Sequence, residues 1–140
     1  MPTGAPLPKV QATRGYGADV ILHGTCVEDA LGEALAFAER TGAVTLLKGS
    51  RTLVTTPDGM VRINPTGGPV LATAGSGDVL TGIIGGLLAR GVGPVDAASA
   101  GAYIHGLAGI EAGRLTGDGT LASDVARHVP DAVNRIWDDR

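Results

Sequence analysis

Residues 72–82 have the sequence Ala-Thr-Ala-Gly-Ser-Gly-Asp-Val-Leu-Thr-Gly. Small residues lead to the carboxylate of Asp78, and an apolar helix is predicted to follow at once. Gly75 and Gly77 lack a Cβ and can adopt positive φ, so the backbone can approach an anion closely. The N–H groups of residues 76–80 would then open the helix, with the positive end of its dipole toward that anion. Asp78 either acts as a general base toward a hydroxyl beside a phosphate or caps the helix, and this fragment alone leaves both alternatives open.

A second polar loop, with the sequence Lys48-Gly49-Ser50-Arg51-Thr52, follows the apolar residues 44–47 directly. A predicted strand that opens into a small cationic loop is a common place for phosphate groups in α/β proteins. The same residues also occur in ordinary surface turns. The loop is therefore a candidate phosphate site with a plain structural alternative.

The bulk composition describes a globular chain of 140 residues, with 44% hydrophobic and 18% charged residues. The formal net charge of −3 and the lack of a Lys/Arg cluster argue against a nucleic-acid partner. Cys26 is the single cysteine, so no intrachain disulfide can form, which fits a reducing cytoplasm. The first residues do not resemble a signal peptide, and no apolar run is long enough to span a membrane.

Apolar periodicity and turn residues predict two early strand–helix units followed by consecutive helices, which is an α/β layered architecture. Gly82, Gly85 and Gly86 should weaken their helix by roughly 1 kcal/mol each, so we expect them to pack closely against a neighbour. The predicted elements are a strand at 20–22, a helix capped by Thr25 and closed by Gly42, a strand at 44–47, a hairpin of 53–55 and 60–63 around Pro57-Asp58-Gly59, a helix from 79 to Gly91, a helix opened by Pro94, and a last helix from Ser123-Asp124 that kinks or restarts at Pro130.

Polar residues in the later helices have plainer interpretations. His105 lies among small residues, and a lone helical histidine of this kind is expected to be a hydrogen-bonded structural residue. Asp118 and Asp124 are interpreted as turn and N-cap residues.

From about residue 44 the chain closely resembles the ADP/ATP-dependent NAD(P)H-hydrate dehydratases of the ribokinase-like superfamily. The resemblance rests on residues 72–82 together with three further motifs: Asn64-Pro65-Thr66-Gly67-Gly68, Gly82-Ile83-Ile84-Gly85-Gly86-Leu87-Leu88 and Gly101-Ala102-Tyr103-Ile104-His105-Gly106-Leu107-Ala108-Gly109. It implies an α/β/α domain with a mainly parallel, here partial, sheet.

The resemblance also implies a function, in which hydrated NADH or NADPH is dehydrated at the expense of ADP or ATP, with Mg²⁺ assisting. Phosphorylation of the ring hydroxyl would create a leaving group whose elimination restores the nicotinamide. Asp78 matches the residue that contacts the substrate and would act in catalysis. The positions implied to bind the adenine nucleotide are Lys48, Gly49, Ser50, Arg51, Thr52, Gly75, Ser76 and Gly77.

The chain also departs from this family. The family's Pro-His-x-Gly-Glu substrate loop and its early glycine-rich motif have no counterpart, and Ile110 stands where an aspartate usually follows the histidine motif. A second possible function is therefore a non-catalytic α/β domain that keeps part of a nucleotide site.

Residues 1–43 resemble an internal strand–helix segment of threonine ammonia-lyases, through Pro6–Val20 and the residues up to Thr41-Gly42-Ala43. This predicts a chimera joined between Glu33 and Leu46, with residues 44–140 as the dehydratase-like part of one compact unit. The segment lacks the Schiff-base and phosphate-loop motifs of those enzymes, and Lys9 and Lys48 are the only lysines. Pyridoxal phosphate is therefore not expected as a cofactor, and an amino-acid lyase fragment is the least favoured alternative.

A partial sheet should leave strand edges and apolar surface uncovered. Parallel strands are usually buried on both faces, and open edges recruit partners. The sequence therefore predicts a homo-oligomer.

Overall fold

The computed structural model describes Thr3, residues 7–15, Gly17, residues 27–49 and residues 51–138. The predicted strand at 20–22 and the Thr25 cap lie outside these residues. The elements in chain order are α1 (Leu7–Gly15), α2 (Val27–Thr41), β1 (Thr45–Leu47), β2 (Leu53–Thr55), β3 (Val61–Ile63), a 3-10 helix (Pro69–Ala72), α3 (Ser76–Ala89), α4 (Pro94–Thr116), a 3-10 turn (Gly117–Gly119), α5 (Ala122–Arg127) and α6 (Val129–Asp138).

The described strands form one sheet of order β1-β2-β3, and both pairs are antiparallel. The α/β class is confirmed, but the expectation of a mainly parallel sheet is wrong for these strands. The reason is the length of the connections. Parallel neighbours need a crossover of a dozen or more residues, whereas residues 48–52 and 56–60 are short enough only for antiparallel returns.

The predicted hairpin between β2 and β3 is confirmed. Gly59 has φ +85°, and Thr56 N–H donates to Met60 O at 3.0 Å, closing the turn. The Thr56 hydroxyl donates to the Asp58 carboxylate, and this hydrogen bond lowers the pKa of Asp58. Local turn chemistry thus fixes the register, which pairs Leu53 with Ile63.

Helix α4 is the central element of the helical half. The core cluster is formed by Ile104, Leu107, Ala108, Ala112, Val125 and Ala132. Within the part of the chain that the structure describes, no helix is long and apolar enough to cross a membrane.

The close packing expected of the α3 glycines is found instead on α4. A Cβ added at Gly82, Gly85 or Gly86 would meet nothing within 4 Å, and all three are exposed. A Cβ at Gly101 would lie 2.5 Å from Ile84 Cγ1, so α4 supplies the small residue where the two helices meet. Both helices are glycine-rich, and only their placement decides which glycines are covered.

Most of the predicted helix boundaries are confirmed. Gly42 and Gly91 have positive φ beyond the ends of α2 and α3, and α4 begins at Pro94. The C-terminal helix is interrupted at His128 and restarts before Pro130. The N-cap assignment of Asp124 is wrong. The N-cap is Leu121, and the Asp124 carboxylate reaches back from the third helical position to accept the Leu121 N–H at 3.0 Å. Asp118 lies in the predicted turn.

Candidate functional site

The approach to the glycine-rich loop is fixed by Asn64 and Thr66, which bind the backbone of α4. Asn64 Nδ2 donates to Thr66 O at 3.0 Å and to Ala102 O at 3.1 Å. The Thr66 hydroxyl lies 2.9 Å from Tyr103 O and 3.0 Å from Asn64 Oδ1. Gly106 leaves the room for this contact, since a Cβ there would lie 2.0 Å from Thr66 Oγ1. Polar contacts therefore hold this loop against α4, and Gly106 permits the close approach because it has no side chain.

The 3-10 helix Pro69–Ala72 then brings the chain to Lys48, at the end of β1. Gly67 enters it with φ +103°, and Leu71 N–H donates to Gly68 O at 3.1 Å. Lys48 Nζ donates to Leu71 O at 3.0 Å. Lys48 of the cationic loop therefore contacts the short helix that leads into the glycine-rich loop.

Gly75 forms the turn into α3 with φ +81° and ψ −11°, which confirms its predicted left-handed conformation. A Cβ at this position would also lie 3.1 Å from Ala122 Cβ in α5. Gly77 is different, because it is helical and does not have positive φ. A Cβ at Gly77 would meet nothing within 4 Å, so its contribution is an uncovered backbone at the helix start.

The free N–H groups at this helix start are fewer than predicted. Those of Asp78 and Val79 donate to Gly75 O at 3.0 and 3.2 Å, and that of Ser76 contacts Thr73 O at 3.4 Å. The Gly77 N–H has no acceptor among the described residues. An anion at this point would therefore meet chiefly the Gly77 amide and the helix dipole.

Asp78 stands in the first turn of α3 with an exposed side chain, and no side chain caps this helix by a hydrogen bond. A carboxylate in the first turn also suits the helix dipole without any hydrogen bond, so the position of Asp78 is compatible with both alternatives. Its carboxylate is open to solvent, and Asp78 directly follows Gly77 at the helix start, where a group that accepts a proton from a bound hydroxyl would be needed.

His105 joins α4 to the first residue of α3. Its side chain is 3% exposed, and Nε2 lies 2.9 Å from Ser76 O and 3.2 Å from Ser76 Oγ. The prediction of a hydrogen-bonded histidine is confirmed. Burial and the positive charge of Lys48 lower the pKa of His105, so the neutral ring is favoured.

The other residues of the predicted nucleotide loop differ in accessibility. Arg51 and Gly49 are exposed, whereas Thr52 is buried, and its hydroxyl contacts Gly49 O at 3.4 Å. Thr52 is therefore on the buried side of the loop, where it contacts the backbone at the start of the loop. Ser50 lies outside the described residues. Nucleotide contact by these positions remains a prediction.

Sequence reasoning missed two contacts that shape the site, namely Lys48 on Leu71 and His105 on Ser76. The paired residues are 23 and 29 positions apart. No spacing pattern in the sequence predicts either contact, because residues this far apart meet only through the packing of their helices and strands. The apolar surroundings of His105 were the one available indication that its ring would need an internal partner.

A separate cleft of about 380 Å³ lies between α4 and α6, lined by Glu111, Arg114, Leu115, His128, Asp131 and Arg135. Its charges are already paired. Glu111 accepts from Arg114 at 2.8 Å and from Arg135 at 2.9 Å, and His128 contacts Asp131 at 2.9 Å. Among the residues that the structure describes, no group of three or more His, Cys, Asp or Glu side chains could hold a metal ion. This cleft is therefore not a competing anion or metal site.

The chain is similar in sequence to known proteins. Residues 14–131 match the Carb_kinase family, described as NAD(P)H-hydrate dehydratase. The chain is 50% identical over 113 residues to the bifunctional NAD(P)H-hydrate repair enzyme Nnr of Moorella thermoacetica, covering 80% of this chain and 21% of that protein. It is 46% identical over 109 residues to the ADP-dependent (S)-NAD(P)H-hydrate dehydratase of Neisseria meningitidis, covering 69% and 37%.

The family match begins at residue 14, within the segment predicted to resemble threonine ammonia-lyases. These relatives do not show that second resemblance, so the division near residue 43 and the chimeric join remain predictions.

The fold also has a solved relative. The ADP/ATP-dependent NAD(P)H-hydrate dehydratase of Bacillus subtilis, co-crystallized with ATP/Mg²⁺, matches with a TM-score of 0.69 and 30% sequence identity. The match covers 95% of this chain and 43% of that one. The chain thus spans less than half the length of these relatives. With the family match over most of its residues, the chain belongs to the NAD(P)H-hydrate dehydratase family.

Proposed function

We propose that this chain serves the ADP- or ATP-dependent dehydration of hydrated NADH and NADPH, as the part of a dehydratase domain that holds the nucleotide phosphates and the catalytic carboxylate. One observation carries the proposal. Asp78 is exposed at the start of α3, next to a Gly77 N–H that has no acceptor within the described part of the chain. Lys48 hydrogen-bonds to Leu71 O in the segment that leads into this helix.

The phosphates of the adenine nucleotide would bind at the start of α3. The Gly77 N–H and the helix dipole attract an anion there, and Lys48 adds a full positive charge close by. The exposed backbone of Gly49, the side chain of Arg51 and Ser50 complete the proposed nucleotide contacts. The Ser76 hydroxyl is buried against His105, so Ser76 would serve the site through its backbone position in the turn and not through its side chain.

Asp78 would accept the proton of the substrate hydroxyl, or orient that hydroxyl for in-line attack on the transferred phosphoryl group. The hydroxyl oxygen then bonds to phosphorus as the shortened nucleotide leaves. The C–O bond of the resulting phosphate ester then breaks, phosphate leaves, and a proton is lost from the adjacent ring carbon to solvent, which restores the dihydronicotinamide ring of NADH or NADPH.

Mg²⁺ fits this scheme as a companion of the nucleotide. The described residues offer no dedicated metal cluster, and Mg²⁺ is commonly held by phosphates together with one or two carboxylates. Asp78 is the described carboxylate at the start of α3 that could contribute. When bound, the ion would neutralise charge on the phosphates.

A second candidate function is a domain that binds adenine nucleotide without catalysis. It is favoured because residues 1–140 contain no counterpart to the family's Pro-His-x-Gly-Glu substrate loop. Nucleotide binding without turnover would distinguish this function from the first.

The test is the return of NADH absorbance from NADH hydrate, with ADP, with ATP and without nucleotide. We expect nucleotide-dependent regeneration by the parent chain and none by Asp78→Asn, because an amide cannot accept the proton. Asp96→Asn is the matched control. Asp96 occupies the first turn of α4 as Asp78 does that of α3, but it pairs with Arg62 at 2.7 Å.

The outcomes separate the alternatives. Equal rates for Asp78→Asn and the parent chain would reject Asp78 as the catalytic residue. Regeneration in neither, together with calorimetric binding of ADP, would favour the non-catalytic domain. Absence of both activity and ADP binding would reject the nucleotide site itself.

A further inference from the structure

The contact between His105 and Ser76 determines which ring nitrogen carries the proton. Ser76 O is a carbonyl oxygen and can only accept, so His105 Nε2, 2.9 Å away, must donate. The neutral ring therefore has its proton on Nε2. Ser76 Oγ, at 3.2 Å, lies near the same N–H and is itself fully buried.

This hydrogen bond acts on a single rigid unit. The C=O of Ser76 and the N–H of Gly77 belong to one planar peptide group, in which the oxygen and the hydrogen point in opposite directions. The peptide lies in the first turn of α3, where the helical backbone directs its carbonyl along the helix. His105 Nε2 holds that same carbonyl from the core, so the Gly77 N–H points the other way. That N–H is the one at the start of α3 that has no acceptor among the described residues.

We propose that His105 is a positioning residue that fixes the Ser76–Gly77 peptide plane and thereby aims the Gly77 N–H at the nucleotide phosphate. The identity of the ligand rests on the proposed function, whereas the positioning itself does not. His105 need not touch nucleotide or substrate, and it acts through the backbone of Ser76.

Surrounding contacts keep the ring in place for this purpose. His105 lies beside Gly106, whose missing side chain lets α4 approach Thr66. The loop is held on the other side by Thr66 against Tyr103 O. These contacts hold α4, which carries His105, in place against the loop that leads to Ser76. The hydrogen bond from His105 to Ser76 O therefore has a defined direction.

The test compares His105→Gln and His105→Leu with the parent chain. Gln places a donor nitrogen at the same number of bonds from Cβ as His Nε2, whereas Leu fills similar space without a donor. We expect His105→Leu to weaken ADP binding by roughly tenfold, as for the loss of one hydrogen bond, and His105→Gln to remain within about threefold of the parent. Adenosine, which lacks phosphate, should bind all three chains alike. His128→Gln, in the α4–α6 cleft where His128 contacts Asp131, is the control substitution.

Nuclear magnetic resonance gives a second measurement that needs no nucleotide. The ring of His105 should show the proton on Nε2, and the Gly77 amide resonance should move in His105→Leu and return toward the parent position in His105→Gln. Circular dichroism establishes that each variant is folded.

Three results would overturn the inference: a proton on Nδ1, a Gly77 resonance that His105→Leu leaves in place, or ADP affinity equal in the Leu variant and the parent. A parent chain that bound no ADP would reject the proposed function, and the resonance data would still decide the role of His105.

Discussion

The substitution Gly106→Ala tests how tightly α4 is seated on the loop that leads to the site. The added Cβ would lie 2.0 Å from Thr66 Oγ1 and 2.7 Å from the backbone carbon of Thr66. Rotation of the Thr66 side chain cannot relieve the second contact. The loop would have to retreat by roughly 0.8 Å to reach an ordinary separation of about 3.5 Å.

The expected change in the free energy of unfolding is the sum of opposing effects. Overpacking of this kind costs about 1–3 kcal/mol, and loss of the Thr66 hydrogen bond to α4 costs about 1 kcal/mol. Alanine in place of glycine inside a helix returns about 1 kcal/mol. We therefore expect Gly106→Ala to lower the free energy of unfolding by about 2 kcal/mol.

Gly85→Ala is the matched control, because it is the same substitution inside a helix with no atom within 4 Å of the new Cβ. Its expected effect has the opposite sign, a gain of about 1 kcal/mol. Gly109→Ala should fall between them, since its closest contacts are side-chain atoms of Leu71, which can move.

Urea unfolding followed by circular dichroism measures these differences directly. A change of 2 kcal/mol corresponds to a shift in Tm of about 6–10 °C for a domain of this size. The reasoning is refuted if Gly106→Ala is as stable as Gly85→Ala, because the placement of α4 against Thr66 would then be wrong.

Three further predictions concern the site and the surface. Lys48→Ala should weaken ADP binding by about tenfold or more in calorimetric titration, as expected for a charge-assisted contact, whereas Arg90→Ala at the far end of α3 should not. Because the pKa of His105 lies below its ordinary 6.5, the unfolded chain binds more protons between that lowered pKa and 6.5. The free energy of unfolding should therefore fall as the pH drops through this window, by at most about 1.4 kcal/mol per pH unit, and His105→Gln should lose this part of the slope. Light scattering at micromolar concentration should report a dimer or larger species, because the glycine face of α3 and side chains such as Ile63, 61% exposed, are left uncovered. A cooperative monomer with a high Tm would contradict this last expectation.

Local signals in the sequence were sufficient for much of the fold. Pro57-Asp58-Gly59 predicted the hairpin because a turn is determined by its own residues. Gly75 predicted the entry into α3 for the same reason, since few other residues adopt its φ of +81°. The ends of α2 and α3 at Gly42 and Gly91 follow the same rule.

The orientation of β1 against β2 was missed because the family resemblance suggested a mainly parallel sheet, whereas the short chain between these strands permits only an antiparallel return. That connection length was present in the sequence and could have been used. The N-cap of α5 was misplaced for a different reason. A carboxylate can serve at the cap or reach back to it from the third position, and both patterns look alike in a sequence.

The sequence by itself determined the family and the α/β class, and it supplied the residues proposed for the candidate site, because these depend on motifs and local chemistry. Only the tertiary structure decided which glycines are covered, that Lys48 meets Leu71 and that His105 turns Ser76 O toward the core. These contacts join residues far apart in the chain. Their partners are chosen by how α3, α4 and the sheet pack, and no spacing rule along one segment can specify that.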